Sequence, residues 1–239
     1  MKRNLAIFLM GMTIATMVLG GCKDKENISK KDGKESESVE DKKTFTVGFD
    51  AEYPPYGYMD ENGEYTGFDL ELAEAVCELE GWELVKKPIN WDSKDMELNS
   101  GAIDCIWNGF TMNGREEEYT FSTPYVDNSQ VIVVAEKSGM KTLEDLQGKS
   151  VGVQAASAAL DLLQSEEEGG QKALADTFSA LNEFADYNTA FTELQAGALD
   201  ALAIDVGVAN YQIKSRGEGY QILEETLNTE QYAIGFKKG

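Results

Sequence analysis

The residues able to do chemistry gather in loops that follow apolar runs. After Thr44–Phe49 come Asp50, Glu52 and the tyrosines Tyr53, Tyr56 and Tyr58. Asn90-Trp91-Asp92 follows the run ending near Lys87, while Asn108-Gly109-Phe110-Thr111 and then Arg115 follow Ile103–Trp107. Ser157 comes after Ser150–Gln154, and Asp205 after Leu199–Ile204. Carboxylates, a guanidinium, hydroxyls and aromatic rings can grip a charged molecule and stack on it. Nucleophilic catalysis is a poor fit, because the chain has no histidine. That absence removes Ser-His and Cys-His catalysis, His-ligated zinc and the usual near-neutral proton switch. Cys77 falls on a helical stripe and Cys105 in an apolar run, which reads as two buried free thiols, although export would permit a disulfide.

The 239 residues hold 21 Lys+Arg against 43 Asp+Glu, a formal charge of −22. All of the imbalance lies in residues 44–239, with 12 Lys+Arg and 36 Asp+Glu. Phosphate binding needs a cationic face, so nucleic acid is not expected as a partner. Acids this abundant are mostly solvated surface, and none is singled out by its charge alone. Arginine is scarce instead: residues 44–239 contain Arg115 and Arg216 beside ten lysines. Arg216 lies in a polar stretch and reads as surface.

The elements that must position these loops alternate between strand and helix. Strands are expected at Thr44–Phe49, Trp82–Lys87, Ile103–Trp107, Gln130–Ala135, Ser150–Gln154, Leu199–Ile204, Tyr220–Leu223 and Gln231–Phe236. Asp69 is the expected N-cap of a helix carrying Leu72, Val76 and Leu79 inward, ending near Gly81. Further helices are expected near Ser93–Leu98, Thr142–Leu146, Ser157–Leu163 and Ala190–Gln195, and after Asp205. This rhythm predicts an α/β fold of parallel sheets with helices on both faces. In such sheets ligands lie beyond the carboxyl ends of the strands, where the polar loops fall.

Lys2 and Arg3 precede an uncharged apolar run from Leu5 to Leu19. Fifteen helical residues span roughly 22 Å, short of the roughly 30 Å hydrocarbon core, so residues 1–21 read as an export signal. Leu19-Gly20-Gly21-Cys22 resembles the lipobox of bacterial lipoproteins. The resemblance implies cleavage before Cys22 and lipidation of its thiol, with two acyl chains anchoring the protein stably in a bilayer. Residues 23–43 hold seven Lys and seven Asp/Glu with Ile28 and Val39 as sizeable apolar groups. They read as a disordered tether of roughly 25 Å r.m.s. reach.

Four ordered blocks resemble the polar amino-acid-binding proteins of bacterial ABC importers, extracellular solute-binding protein family 3. They are VGFDAEYPPYGYMDENGEYTGFDLELAEAV, GAIDCIWNGFTMNGREEEYTFSTPY, LQGKSVGVQAASAA and AGALDALAID. The resemblance runs from Thr44 to the end. It implies a periplasmic-binding-protein-like fold of type II, two α/β lobes joined by two crossover strands near Tyr125–Gln130 and Leu227–Gln231. Lobe one would comprise 44–126 with 231–239, and lobe two 127–230. It also implies a monomeric clamp with neither cofactor nor metal, which delivers a free amino acid to a membrane permease.

By the same resemblance Arg115 binds the ligand carboxylate, for which a bidentate guanidinium is well shaped. Thr111, the Gly109 backbone and Ser157 hydrogen-bond the ligand's head, and Asp205 pairs with its ammonium. Tyr53 and Trp91 sandwich the side chain, and Asp50 touches its distal end. The residues themselves leave other readings open. Trp91 would also fit a lobe core, Asp205 and Ser157 would serve as helix caps, and Glu52 and Asn108 would sit at the rim. Two departures stand out: Thr111 and Arg115 are four residues apart where the family usually has five, and Ala158 replaces a threonine of some relatives. A C-terminal helical segment of the family is expected to be missing, leaving lobe one with less apolar cover. The same fold also serves exported cyclohexadienyl dehydratases and extracytoplasmic sensor modules, which stand as the alternative functions.

Overall fold

The computed structural model describes residues 43–239. The expected signal over 1–21, the lipidated Cys22 and the tether as far as residue 42 lie outside the described residues. Strands β1 (Thr44–Phe49), β2 (Glu52–Tyr53), β3 (Gly57–Met59) and β4 (Tyr65–Thr66) precede helix α1 (Phe68–Glu80). Strand β5 (Glu83–Pro88), helix α2 (Lys94–Ser100), and strands β6 (Cys105–Ile106) and β7 (Tyr119–Phe121) follow. The long β8 (Val126–Ala135) leads to β9 (Ser150–Gln154), α3 (Ala158–Gln164), α4 (Lys172–Ala175) and β10 (Ala180–Phe184). Then come α5 (Tyr187–Ala196), β11 (Ala201–Asp205), α6 (Val206–Arg216), β12 (Tyr220–Ile222), β13 (Asn228–Tyr232) and β14 (Gly235–Lys237).

Two main sheets form, in the orders β5-β1-β6-β14-β7 and β10-β9-β11-β8-β12, each at the centre of one lobe. Neither is wholly parallel, contrary to the expectation from the strand–helix rhythm. β1 pairs in parallel with β5 and β6, but β14 runs antiparallel to β6 and β7. In the second sheet β8 runs antiparallel to β11 and β12. The cause is the path between lobes, since a chain that crosses and returns must enter each sheet from the opposite direction. β8 and β13 make that passage as an antiparallel ladder, with Gln130 opposite Asn228 and Asn128 opposite Glu230. The segment expected as one strand, Gln231–Phe236, is two: β13 in this ladder and β14 in the first sheet.

The second sheet shows why its strands read as continuous apolar runs. Val131, Val133, Leu202 and Ile204 face a layer with Phe191 and Val208, while Ile132, Val134, Ala201 and Ala203 face one with Leu160 and Leu163. Period-2 alternation thus serves a helix layer on either side. Cys77 and Cys105 are both buried and unpaired.

Helix α1 corrects the sequence expectation most sharply. It buries Asp69, Leu70, Ala73 and Cys77, whereas Leu79 is 85% exposed and Val76 37%. Asp69 is therefore not the cap but a buried acid in the first turn. Gly67 precedes the helix at φ 129°, where a Cβ would lie 2.3 Å from the Tyr56 carbonyl oxygen, so glycine is required. Leu72 still packs partly on the first-lobe core, so the expected stripe fails at Val76 and Leu79; the two stripes are one helical step apart, and helical periodicity alone cannot choose between them. Also unforeseen were the small β2-β3-β4 sheet, α4 and β10. Among the described residues no helix is long and apolar enough to cross a membrane.

The α1 assignment is open to a direct check by urea denaturation. Leu70→Ala should lower stability by about 2–5 kcal/mol through lost burial and a residual cavity. Leu79→Lys should shift it by no more than about 0.5 kcal/mol. The reverse pattern would mean that the helix faces the other way.

Candidate ligand-binding site

Tyr53, Trp91, Asn108, Gly109, Thr111 and Arg115 from the first lobe meet Gln154, Ser157, Ala158 and Asp205 from the second around one small pocket. About 10 Å³ of free space remains between them. Trp91 also borders a neighbouring cleft of about 630 Å³, lined by Asp50, Glu52, Asp92, Glu97 and Asp186 among others. The sequence-predicted residues thus come together, with Asp50 in the cleft rather than in the pocket.

Each side chain is held by its element. Arg115 is 9% exposed, stacks 5.1 Å above the Phe110 ring and donates from Nη2 to Asp161 Oδ2 of α3 at 2.7 Å. Phe110 is itself fully buried, so the guanidinium rests on a rigid floor. Trp91 packs edge-on against Phe110, at 5.8 Å between centroids, and so both lines the pocket and belongs to the lobe core. Tyr53 is buried beside Tyr187, 6.0 Å between centroids. Gly109 has φ 54°, and a Cβ there would lie 2.9 Å from the Tyr53 ring. Its N–H donates to Asp69 at 2.5 Å, leaving its carbonyl oxygen for other partners. Ser157 Oγ accepts from Leu160 N at 3.2 Å and caps α3. Arg216 lies away from the pocket, bonded to Gln212 and to the Asn188 carbonyl.

Asp205, at the end of β11, is 4% exposed. Its Oδ1 accepts from Asn128 Nδ2 at 2.8 Å, Gln130 Nε2 at 2.7 Å and the Tyr232 hydroxyl at 2.7 Å. Thr111 does not offer its hydroxyl hydrogen to the pocket: Oγ1 donates to Glu230 at 2.7 Å. Burial pushes the Asp205 carboxyl up to about 6, helped by the charge of Glu230 and opposed by the hydroxyl and amide donors. Burial likewise raises Asp50 to about 6, against bonds from Glu52 N and from Gln154 Nε2 at 2.7 Å.

Several cross-lobe contacts frame the pocket. Arg115–Asp161 and Asp50–Gln154 are two of them, and Lys94 Nζ reaches the Ala156 carbonyl at 3.2 Å. Asn188 bonds Glu52 at the rim. Sequence reasoning missed Asp161, Gln154 and Asp69, as well as the quartet Asn128, Gln130, Glu230 and Tyr232. A signal existed for the last group: residues 128 and 130, like 230 and 232, are alternate positions of strands and share a face. Among the described residues no cluster of three or more Cys, Asp or Glu could hold a metal ion.

Fold and pocket together define a class: a two-lobed α/β protein with its candidate site between the lobes. Residues 45–214 match the bacterial extracellular solute-binding proteins, family 3, and the chain belongs to that family. It is 28% identical over 204 residues to the L-cystine-binding protein TcyJ of Escherichia coli K12, covering 84% of this chain and 73% of that one. It is 29% identical over 206 residues to the arginine-binding extracellular protein ArtP of Bacillus subtilis, covering 85% and 78%. A Streptococcus pneumoniae ABC uptake transporter substrate-binding protein with bound histidine superposes with TM-score 0.76 at 36% identity, covering 82% of this chain and 80% of that chain. An ancestral arginine-binding protein bound to arginine gives TM-score 0.73 at 37% identity, covering 82% and 85%. These relatives are binding proteins by name, not enzymes.

Asp69 yields a pH prediction. Its carboxyl is fully buried with Oδ1 unpartnered, and burial raises it from 3.8 to about 7 against the bond from Gly109. A carboxyl raised by folding contributes stability while protonated, below its unfolded pKa, and that contribution is lost as pH rises through the folded value. Wild-type stability should therefore fall between pH 4 and pH 8, with Asp50 and Asp205 adding to the trend. Asp69→Asn should flatten that fall between about pH 4 and pH 7, seen in urea midpoints across the range. An unchanged slope would remove Asp69 from the account.

Proposed function

We propose that this chain captures a free polar amino acid outside the cytoplasmic membrane and hands it to the permease of an ABC importer. Cys22, in the Leu19-Gly20-Gly21-Cys22 setting, would carry the lipid that holds it at the membrane, with residues 23–43 as the tether. The observation that carries the binding role is the convergence of Arg115 and Asp205 in one pocket built by both lobes. A zwitterion enters a buried site only if both charges find partners. Arg115 takes the carboxylate and Asp205 the ammonium, while the Gly109 carbonyl and Ser157 complete the head site. Tyr53 and Trp91 flank the first part of the side chain.

Beyond Trp91 the side chain would enter the cleft with Asp50, Glu52, Asp92, Glu97 and Asp186. Glu97 is paired with Lys87 at 2.7 Å, and the other four acids favour a cationic side chain over an anionic one. The relatives named for arginine, histidine and cystine support the same class of ligand. Family membership and the absence of histidine together favour capture over chemistry.

A thermal-shift screen of arginine, histidine, cystine and the other amino acids on residues 44–239 tests this. A ligand that binds the folded state alone stabilises it by RT ln(1 + [L]/Kd), about 2.7 kcal/mol at a hundredfold excess over Kd. At least one polar amino acid should raise the melting temperature, and acidic amino acids should not. Arg115→Ala should abolish calorimetric binding, and Asp205→Ala nearly so. Full affinity in Arg115→Ala would refute the carboxylate assignment.

A further inference from the structure

The two crossover strands carry a buried polar array that the head-group reading leaves unused. On the inward face of β13 lie Asn228, Glu230 and Tyr232, alternate residues of one strand. On β8, Asn128 and Gln130 face them. Glu230 is 4% exposed, yet its Oε1 accepts three bonds: from Thr111 Oγ1 at 2.7 Å, Asn128 Nδ2 at 2.8 Å and Gln130 Nε2 at 2.8 Å. The same two amides donate to Asp205 Oδ1. One pair of donors is thus shared between two buried carboxylates, and among the described residues no Lys or Arg bonds to either. Glu230 is also joined to the first lobe through Thr111 and to the second through the amides and Asp205.

We infer that Glu230 is a positioning residue for the ammonium site: it fixes the shared amides and places a second negative charge behind Asp205. This rests on the amino-acid-binding reading above. Two carboxylates held around common donors repel each other, and a bound ammonium relieves that repulsion where a neutral isostere would not. The groups facing Asp205 are Glu230 and Tyr232 from β13, Tyr53 from β2, Tyr56 and Tyr187, with Arg115 across the pocket. Burial pushes all four tyrosines above their ordinary range, so they stay neutral across the acid range. Because the charge of Glu230 helps to raise Asp205, neutralising Glu230 lets Asp205 ionise at lower pH.

The experiment is calorimetric binding of L-arginine, L-histidine and L-cystine to the wild type, Glu230→Gln and Glu230→Asp between pH 4.5 and 8. Wild-type affinity should fall as pH drops through about 6, where Asp205 takes up a proton. Glu230→Gln should bind about tenfold or more weakly at pH 7.5, as expected for a lost charge-assisted contribution, and its acid limb should move to lower pH. Glu230→Asp should restore the wild-type limb. A purely structural role would weaken binding without moving the limb, and that outcome overturns the inference, as does unchanged affinity in Glu230→Gln. If the wild type binds none of the three and no other amino acid of the thermal-shift screen, the amino-acid reading falls and this inference with it. Should Glu230→Gln not fold, carboxyl ¹³C titration of the wild type decides: mutually displaced steps for Asp205 and Glu230 support coupling, and independent steps overturn it.

Discussion

Charge buried between two bodies is the constraint on which this structure turns. Arg115, Asp205 and Glu230 are each at least nine-tenths buried, and an unpaired charge in such a setting is strongly unfavourable. Each is held by partners drawn from more than one element: Asp161 on α3 for Arg115, the β8 amides and Tyr232 for Asp205, and Thr111 with the same amides for Glu230. Three of these bonds join the two lobes, Arg115–Asp161, Thr111–Glu230 and Tyr232–Asp205, while the β8 amides reach both acids from within the second lobe. The polar site and the mutual placement of the lobes are therefore one energetic unit, in which changing the charge inside changes the preferred approach of the walls.

That coupling gives Asp161 a particular standing. Its side chain is about 60% exposed, so its pairing with Arg115 is only partly shielded from water, while the guanidinium it touches is nearly enclosed. One edge of the guanidinium is engaged at Nη2, and the planar fork has other N–H groups to offer. On the proposed assignment of Arg115, a helix of the second lobe and a small-molecule carboxylate would share the same cation, linking occupancy to lobe contact through a single residue. Tyr53 and Tyr56 add an apolar counterpart, because they pack with Tyr187, Val208 and Tyr232 in a cluster of mainly second-lobe residues.

Much of the site was legible in the sequence because strand ends announce themselves: an apolar run stops and polar residues begin. Asp50, Asn108, Thr111, Ser157 and Asp205 all follow that pattern, and four separate loops could be assigned to one neighbourhood by fold logic. Residues that reach the site from within an element were invisible. Asp69 lies in the first turn of α1, where an acid ordinarily complements the helix dipole, and nothing local reveals that it is buried beneath Gly109. Asp161 looked like one acid among 36, since its importance comes from a partner 46 positions earlier in the chain. The α1 face was misjudged because Ala73 and Cys77 are less greasy than Val76 and Leu79, and the tertiary context chose the smaller side chains to face inward, Ala73 within the core with Val47 and Phe49. The mixed strand directions were hidden for a different reason. They follow from how often the chain passes between lobes, which no window of residues records.

The seat of β14 in the first sheet governs the order in which the molecule can be assembled. Gly235 lies between Ile106 and Phe121, so β6 and β7 of the first lobe are joined by a segment made after the whole of the second lobe. At about 5–20 residues per second, β7 waits on the order of ten seconds for its neighbour during synthesis. Until then the sheet has an open gap beside β6, whereas the second lobe's strands from β8 to β12 are contiguous and can pair as they emerge. A nascent chain of this kind leaves the sheet of its first lobe incomplete until β14 has emerged, well after the second lobe's strands have begun to pair.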